Sequence, residues 1–368
     1  MWNDTAFTRR FDLRYPIVQG PFGGGLSSPL LAATVANAGG LGSYGAQGMT
    51  PDRIGAVVRE IRSLTTAPFA VNLWVSTADA RAEDIARHEY DAAAAVLAPY
   101  FAELGMAPPP FPPAADPVFE EQAAALIEAR PPVFSFIFGV PPPAILDRCR
   151  SHGIRTIGTA TTVDEVRALD TAGVDAIVAT GAEAGGHRPS FLRSAEASLM
   201  GTMALVPQAV DAVRTPVIAA GGIVDGRGVA AALALGAQGV QIGTAFLACD
   251  ESNAHPAHRA ALRNAARGPE TLLTRGFSGR LGRGIRNALA AAVESPSIAR
   301  LPYPFQGHLV GALKQGALAA GRLDLAPFWS GQAAPLIVHT TAAALFESLI
   351  RRSSGDGGVA DNPARWIG

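Results

Sequence analysis

Eight short apolar runs recur along the first 250 residues, and they restrict the fold more than any other feature of the chain. They are PIVQG from Pro16, GLGSY from Gly40, FAVNLW from Phe69, VFSFIF from Val133, RTIGTA from Arg155, DAIVAT from Asp175, PVIAAGG from Pro216 and GVQIGTAF from Gly239. Between them lie longer segments such as SPLLAATVANAG, TPDRIGAVVREIRSLT and TVDEVRALDTAG. Their apolar positions recur every three to four residues and most end in glycine, the pattern of amphipathic helices with their stop signals. Continuous apolar strands alternating with helices give a parallel sheet buried on both faces. Eight such units predict an α/β fold, a TIM-type (β/α)8 barrel over residues 1–250, with function on the loops that follow the strands.

Two regions break the rhythm. Residues 77–131 carry APYFAELGMAPPPFPPAADPVFEEQ, whose clustered prolines oppose regular helix and predict an extended insertion after the third strand. Beyond Asp250 the strand count is complete, yet residues 251–368 remain, with helix-like runs at 288–293 and 338–351. This C-terminal extension is expected to fold over the barrel mouth, with the end SSGDGGVADNPARWIG frayed.

Composition narrows the function classes. With 48% hydrophobic and 17% charged residues, the chain has material for one large core and is not disordered. Its 30 basic and 31 acidic residues are scattered, so no basic stripe exists to neutralise nucleic-acid phosphates. The two cysteines, Cys149 and Cys249, share no metal-ligand spacing and fit a reducing compartment. No apolar signal region follows the N-terminal MWNDTAFTRRFDLRYP, and no run approaches the roughly 18 apolar residues of a membrane span. The expectation is a cytoplasmic enzyme or binding protein with no membrane or nucleic-acid partner; its oligomeric state is left open.

Several strand ends carry candidate chemistry. Gly221 and Gly222, then Gly243 and Thr244, occupy equivalent turns after the seventh and eighth runs, where free N–H groups favour a phosphate. The plainer reading is two tight turns. Asn72 ends the third run, and Gln19 ends the first, just before Gly20 and a glycine-rich turn; each is a ligand contact or a loop cap. His187 follows the sixth run behind Gly185 and Gly186, and an imidazole with a pKa near 6.5 suits a general base, although a plain loop position fits the spacing equally. Glu183, four residues before the histidine, either orients the turn or, as the plainer reading, is a solvated carboxylate. HPAH, His255 to His258, lacks the partners of a metal site and reads as an exposed loop.

The motifs YPIVQGPFGGG, NAGGLGSYGA, PFAVNLW, ATGAEAGGH, AAGGIVDGRG, GVQIGTAFLACDES, TRGFSGRLGRGIRN and FWSGQ, in this order from Tyr15 to Gln332, resemble the nitronate monooxygenases, formerly 2-nitropropane dioxygenases. That resemblance implies non-covalent FMN at the barrel mouth and a reaction between an alkyl nitronate and O2. It implies that Gln19, Gly20, Asn72, Thr180 and Gly185 adjoin the flavin. Gly221, Gly222, Gln241, Ile242, Gly243 and Thr244 would surround the phosphate, Gln332 would return the tail over the cofactor, and His187 would be the catalytic base. No metal is implied. Two positions depart from the family pattern: Thr180 replaces a glutamine, and Pro189 a frequent glycine. The alternatives are an NAD(P)H-dependent flavin reductase of the enoyl-ACP or quinone type, and a non-catalytic flavin-binding barrel.

Overall fold

All eight expected runs form strands. In chain order the strands are β1 (Ile17–Gln19), β2 (Gly42–Gly45), β3 (Phe69–Trp74), β4 (Val133–Ile137), β5 (Arg155–Ala160), β6 (Ala176–Thr180), β7 (Gly186–His187), β8 (Val217–Ala220), β9 (Gly239–Ile242), β10 (Thr271–Thr274) and β11 (Gly282–Ile285). The computed structural model describes residues 1–76, 84–112, 118–264, 270–294 and 300–353. One parallel sheet runs β1-β9-β8-β6-β5-β4-β3-β2, and β10, β11 and β7 form a second, antiparallel sheet.

The barrel closes at a thin seam between β1 and β2. Leu41 N donates to Ile17 O and Gln19 N to Leu41 O, each at 2.9 Å. The next rung is made by a side chain, because Ser43 N donates to Gln19 Oε1 at 2.8 Å. Gln19 is fully buried, so this amide completes the ladder where main-chain pairing stops.

Alternation within the strands sorts side chains into two cores. Val18, Ala70, Val133, Ile157, Val178 and Ile218 point inward and cluster with Phe7 and Phe11 of the helix Ala6–Phe11. This helix sits under the N-terminal strand ends, where a Cβ on Gly239 would approach Phe7 Cδ1 at 2.9 Å. Ile17, Val71, Phe134, Ile177, Val217 and Ile242 face outward against the helices. Full burial of side chains of this size contributes about 1.5–3 kcal/mol each.

The ring of outer helices closes late in the chain. Only the four residues Thr244–Leu247 are helical directly after β9; the place between the helices Gly226–Ala234 and Pro29–Asn37 is filled by Ala342–Ser353. The segment between them builds a separate apolar core. There the helix Phe305–Ala319 packs on Arg87–Glu103 from the insertion, through Phe305, Leu309 and Leu313 against Tyr90, Leu97 and Phe101.

The insertion is therefore more helical than its prolines predict. Arg87–Glu103 continues through Pro99, and Phe119–Ala129 forms a second helix. An interior proline costs about 3 kcal/mol, but Tyr90, Ala93, Leu97 and Phe101 make a buried stripe at helical spacing that outweighs it. The run from Pro108 to Pro112 has no regular structure. The expected frayed end lies almost wholly outside the described residues. No described helix is long and apolar enough to cross a membrane.

Candidate active site

The inward alternation continues to the C-terminal end of the barrel, where it turns polar. Two residues beyond Leu41, Ala70, Val133, Ile157, Val178 and Gly239 stand Ser43, Asn72, Ser135, Thr159, Thr180 and Gln241, and all six line a cavity of about 350 Å³. This volume falls in the range of small-ligand sites, about 300–1,000 Å³. Asn72 Nδ2 donates to Ser135 Oγ at 3.1 Å. Neither the Thr180 hydroxyl nor the Gln241 amide bonds to a described residue, so both keep hydrogen-bonding capacity on the cavity wall. Ser43, Ser135 and Thr159 were not singled out from the sequence; carrying the two-residue period one step past each apolar run finds them.

Gly20, Gly221, Gly222, Gly243 and Thr244 also line the cavity. Gly221 and Gly222 have φ of +100° and +73°, which favour glycine, and a Cβ on Gly221 would lie 2.9 Å from Thr202 Oγ1. The N–H groups of Gly222, Ile223 and Gly243 donate to no described group. Gln19, Ile242 and Gln332 do not line the cavity. Gln19 is committed to the barrel seam, Ile242 points into the outer core, and the exposed Gln332 engages through its main chain, N to Glu183 O at 3.0 Å.

His187 stands on a strand rather than a free loop. It pairs with Gly282 of β11, and Arg188 N donates to Leu281 O at 2.8 Å. The turn leading to it is held from beneath by two arginines. Buried Arg188 donates through Nη1 to the carbonyls of Thr180 (2.7 Å) and Gly181 (2.8 Å) and through Nη2 to that of Ser198; Arg283 Nε donates to Ala182 O at 3.0 Å. Glu183 is no solvated carboxylate: it accepts from Thr202 N at 2.9 Å and Thr202 Oγ1 at 2.9 Å, tying the turn to the helix Thr202–Ala212. Gly185 is needed for the tail, since a Cβ there would lie 2.5 Å from Gly331 N and 2.6 Å from Ser330 C.

That tail segment, Phe328–Gln332, is a strap across the mouth. Ile285 N donates to Phe328 O, Gly331 N to Thr244 Oγ1, and Gln332 N to Glu183 O, so it joins β11, the β9 turn and the histidine turn. Trp329, Tyr303 and Lys314, all from the extension, line the cavity.

The imidazole of His187 is surrounded by rings: Trp329 at 4.8 Å, Trp74 at 5.1 Å, and Phe138 and Tyr303 at 6.3 Å between centroids. Its Nε2 lies 2.7 Å from Ser278 Oγ, and its Nδ1 bonds to no described residue while the ring opens on the cavity. Burial among these rings pushes its pKa down to about 4, so the ring is neutral at physiological pH. Arg280 lies behind the same wall, its guanidinium carbon 3.7 Å from the Phe138 centroid and 4.5 Å from that of Tyr303. Lys314, the single lysine of the chain, has no ion-pair partner among the described residues, and burial lowers its pKa.

The HPAH motif is not an exposed loop. His255 Nδ1 accepts from Ala257 N at 3.2 Å and caps the helix Pro256–Arg263, while His258 is buried against Phe328. No group of three or more metal-ligating side chains occurs among the described residues.

Comparison with known proteins agrees with this architecture. The family model described as nitronate monooxygenase matches residues 5–352. A probable nitronate monooxygenase of Staphylococcus aureus (strain JH9) is 38% identical over 353 residues, covering 96% of this chain and 98% of the relative. Among solved structures, the nitroalkane oxidase of Streptomyces ansochromogenes aligns with a TM-score of 0.86 at 36% identity over 95% of this chain and 98% of its own. FabK of Thermotoga maritima aligns at 0.74 and 27% identity over 96% and 97%. With its barrel, its mouth cavity and matches across nearly its whole length, the chain is an oxidoreductase of the nitronate monooxygenase family.

Proposed function

We propose that this protein holds FMN in the mouth cavity and oxidises small alkyl nitronates with O2, and nitroalkanes after proton removal, to a carbonyl compound and nitrite in the cytoplasm. The residues present fit that group. Free N–H groups at Gly222, Ile223 and Gly243, with the Thr244 hydroxyl, suit a phosphate at the ends of β8 and β9. Asn72, Thr180 and Gln241 offer hydrogen bonds to a heteroaromatic ring on the barrel floor. When bound, FMN supplies the electron transfer that amino-acid side chains do not.

The observation that carries the reading is the setting of His187. With Nε2 donating to Ser278 Oγ, whose own proton points to Arg280 O at 3.4 Å, the lone pair sits on Nδ1, facing the cavity. A nitroalkane placed there loses its α-proton to Nδ1, and the resulting negative charge moves to the nitro oxygens. Burial keeps the imidazole unprotonated but also weakens it as a base. Lys314, which also lines the cavity, adds positive charge that favours an anionic ligand there. A preformed nitronate needs no proton removal, and His187 then acts only in binding.

The test is an absorbance spectrum of the purified protein, followed anaerobically by ethyl nitronate and, separately, NADPH. A flavin spectrum bleached by the nitronate and not by NADPH is expected. Bleaching by NADPH alone would move the chain to the flavin reductases, and failure to bind FMN would end the proposal.

A further inference from the structure

The proposed chemistry leaves the HPAH motif unused, and its second histidine occupies a costly position. His258 is 1% exposed, with its ring stacked on Phe328 at 4.6 Å and 9°. Its Nε2 lies 2.8 Å from Trp329 O. A carbonyl only accepts, so Nε2 carries the proton and Nδ1 is an acceptor, buried without a partner. A hydrocarbon side chain would fill the same space without leaving an acceptor unpaired, but it would not donate to that carbonyl.

The strap explains why the carbonyl needs a donor. Ile285 N bonds to Phe328 O at 2.8 Å and Ser330 N to Arg283 O at 3.4 Å, so Phe328 and Ser330 direct main-chain groups to β11. Trp329 bridges Gly284 between these bonds, in a non-hydrogen-bonded pair whose polar groups face away from β11. His258 is the donor to Trp329 O among the described residues. The indole of that residue is the ring nearest His187, at 4.8 Å.

We infer that His258 is a positioning residue for the base: its Nε2–H fixes the strap so that the Trp329 indole stays against His187 and keeps water from it. The inference rests on the reading of His187 as the base only for its kinetic consequence. Lys314 and His255 are the charged or titratable groups near His258. Facing His187 are Tyr303 and Ser278, with Arg280 behind the aromatic wall and Glu183 and Lys314 elsewhere on the cavity surface.

The decisive experiment follows the His187 imidazole by NMR titration in the intact protein, its signal assigned by loss in His187→Asn. Wild type is expected to titrate at about 4, because burial disfavours the charged ring. In His258→Leu the midpoint should rise by about one pH unit or more toward the solvated value of ~6.5, and the acid limb of kcat/KM for nitroethane should move with it. His258→Gln, which keeps a donor, should titrate like wild type. Trp329→Leu should reproduce the rise with His258 intact, which keeps the inference testable if His258→Leu does not fold. An unmoved His187 titration in folded His258→Leu or in Trp329→Leu overturns it. The titration needs no turnover, so a failed proposal of nitronate oxidation and a failed role for His258 give separate results.

Discussion

The cavity has a floor and a cover, and the two are built by different rules. The floor is a row of strand ends in which Ser43, Asn72, Ser135, Thr159, Thr180 and Gln241 continue one two-residue period already set by the apolar residues beneath them. The cover brings together β7, the β10–β11 hairpin, Tyr303, Lys314 and the strap, from segments spread over residues 186–332 of the chain. A floor fixed by backbone pairing supplies hydrogen bonds at set positions. A cover assembled from a small antiparallel sheet, a strap and packed side chains controls solvent access to His187. Substitutions in the floor should therefore change binding or barrel stability, and substitutions in the cover should change the state of the base.

The largest effect is expected on the cover. His187→Asn should lower nitroalkane turnover by about 10²–10⁴-fold, the range for loss of a general base, while FMN binding and part of nitronate turnover survive. Equal loss with both substrates would mean that the residue binds substrate and removes no proton. Oxygen uptake with nitroethane and with ethyl nitronate separates the two.

Acid should act next. Burial pushes the pKa of His258 down to about 4, against ~6.5 in the unfolded chain. Between these values the unfolded chain binds more protons, so the stability this group contributes is full above pH ~6.5 and is lost as pH falls toward 4, by ~3 kcal/mol. Guanidinium unfolding at pH 7 and pH 4.5 should show the loss, and His258→Leu should show less of it. His187 adds loss of the same sign. A flat profile would mean that the cover opens before these groups titrate.

Two substitutions of similar cost then separate floor from cover. Gln19→Leu leaves Ser43 N unpaired inside the barrel seam and should cost about 1–3 kcal/mol of stability, with the His187 titration unmoved. Gly185→Ala puts a methyl 2.5 Å from Gly331 N, and overpacking of this kind also costs about 1–3 kcal/mol. Because the displaced atoms are the strap, this second variant should raise the His187 midpoint as well. Thermal melts with imidazole titration read both, and identical titrations in the two variants would erase the distinction.

The same division decides what could be read from the sequence. Eight strands, their order and the polar end at Asn72 follow from local pattern, because each strand announces its own two faces; Thr180 and Gln241 entered only through the family resemblance. His187 was visible as a candidate, but its four surrounding rings and Ser278 were not, since no period links residues 74, 138, 278, 303 and 329. Arg188 was passed over because an arginine beside a loop histidine reads as solvated; only the fold shows three carbonyls turned toward it. Pro99 misled in the opposite direction, a local signal overruled by a stripe of distant partners on the helix Phe305–Ala319.

The smallest expected effect tests where the cover touches the ligand. Resemblance to the family puts Gln332 among the cofactor contacts, yet its side chain is exposed and its tie to the site is the main-chain bond to Glu183 O. A main-chain bond survives truncation of the side chain. Gln332→Ala should therefore leave stability within about 0.5 kcal/mol of wild type, the usual range for surface positions, with FMN affinity nearly unchanged. Gln332→Pro removes the N–H itself, leaves the Glu183 carbonyl without this donor and should loosen FMN and raise the His187 midpoint together. If the alanine variant instead loses FMN as the proline variant does, the glutamine side chain swings inward on binding, and the cover closes on its ligand rather than standing preformed.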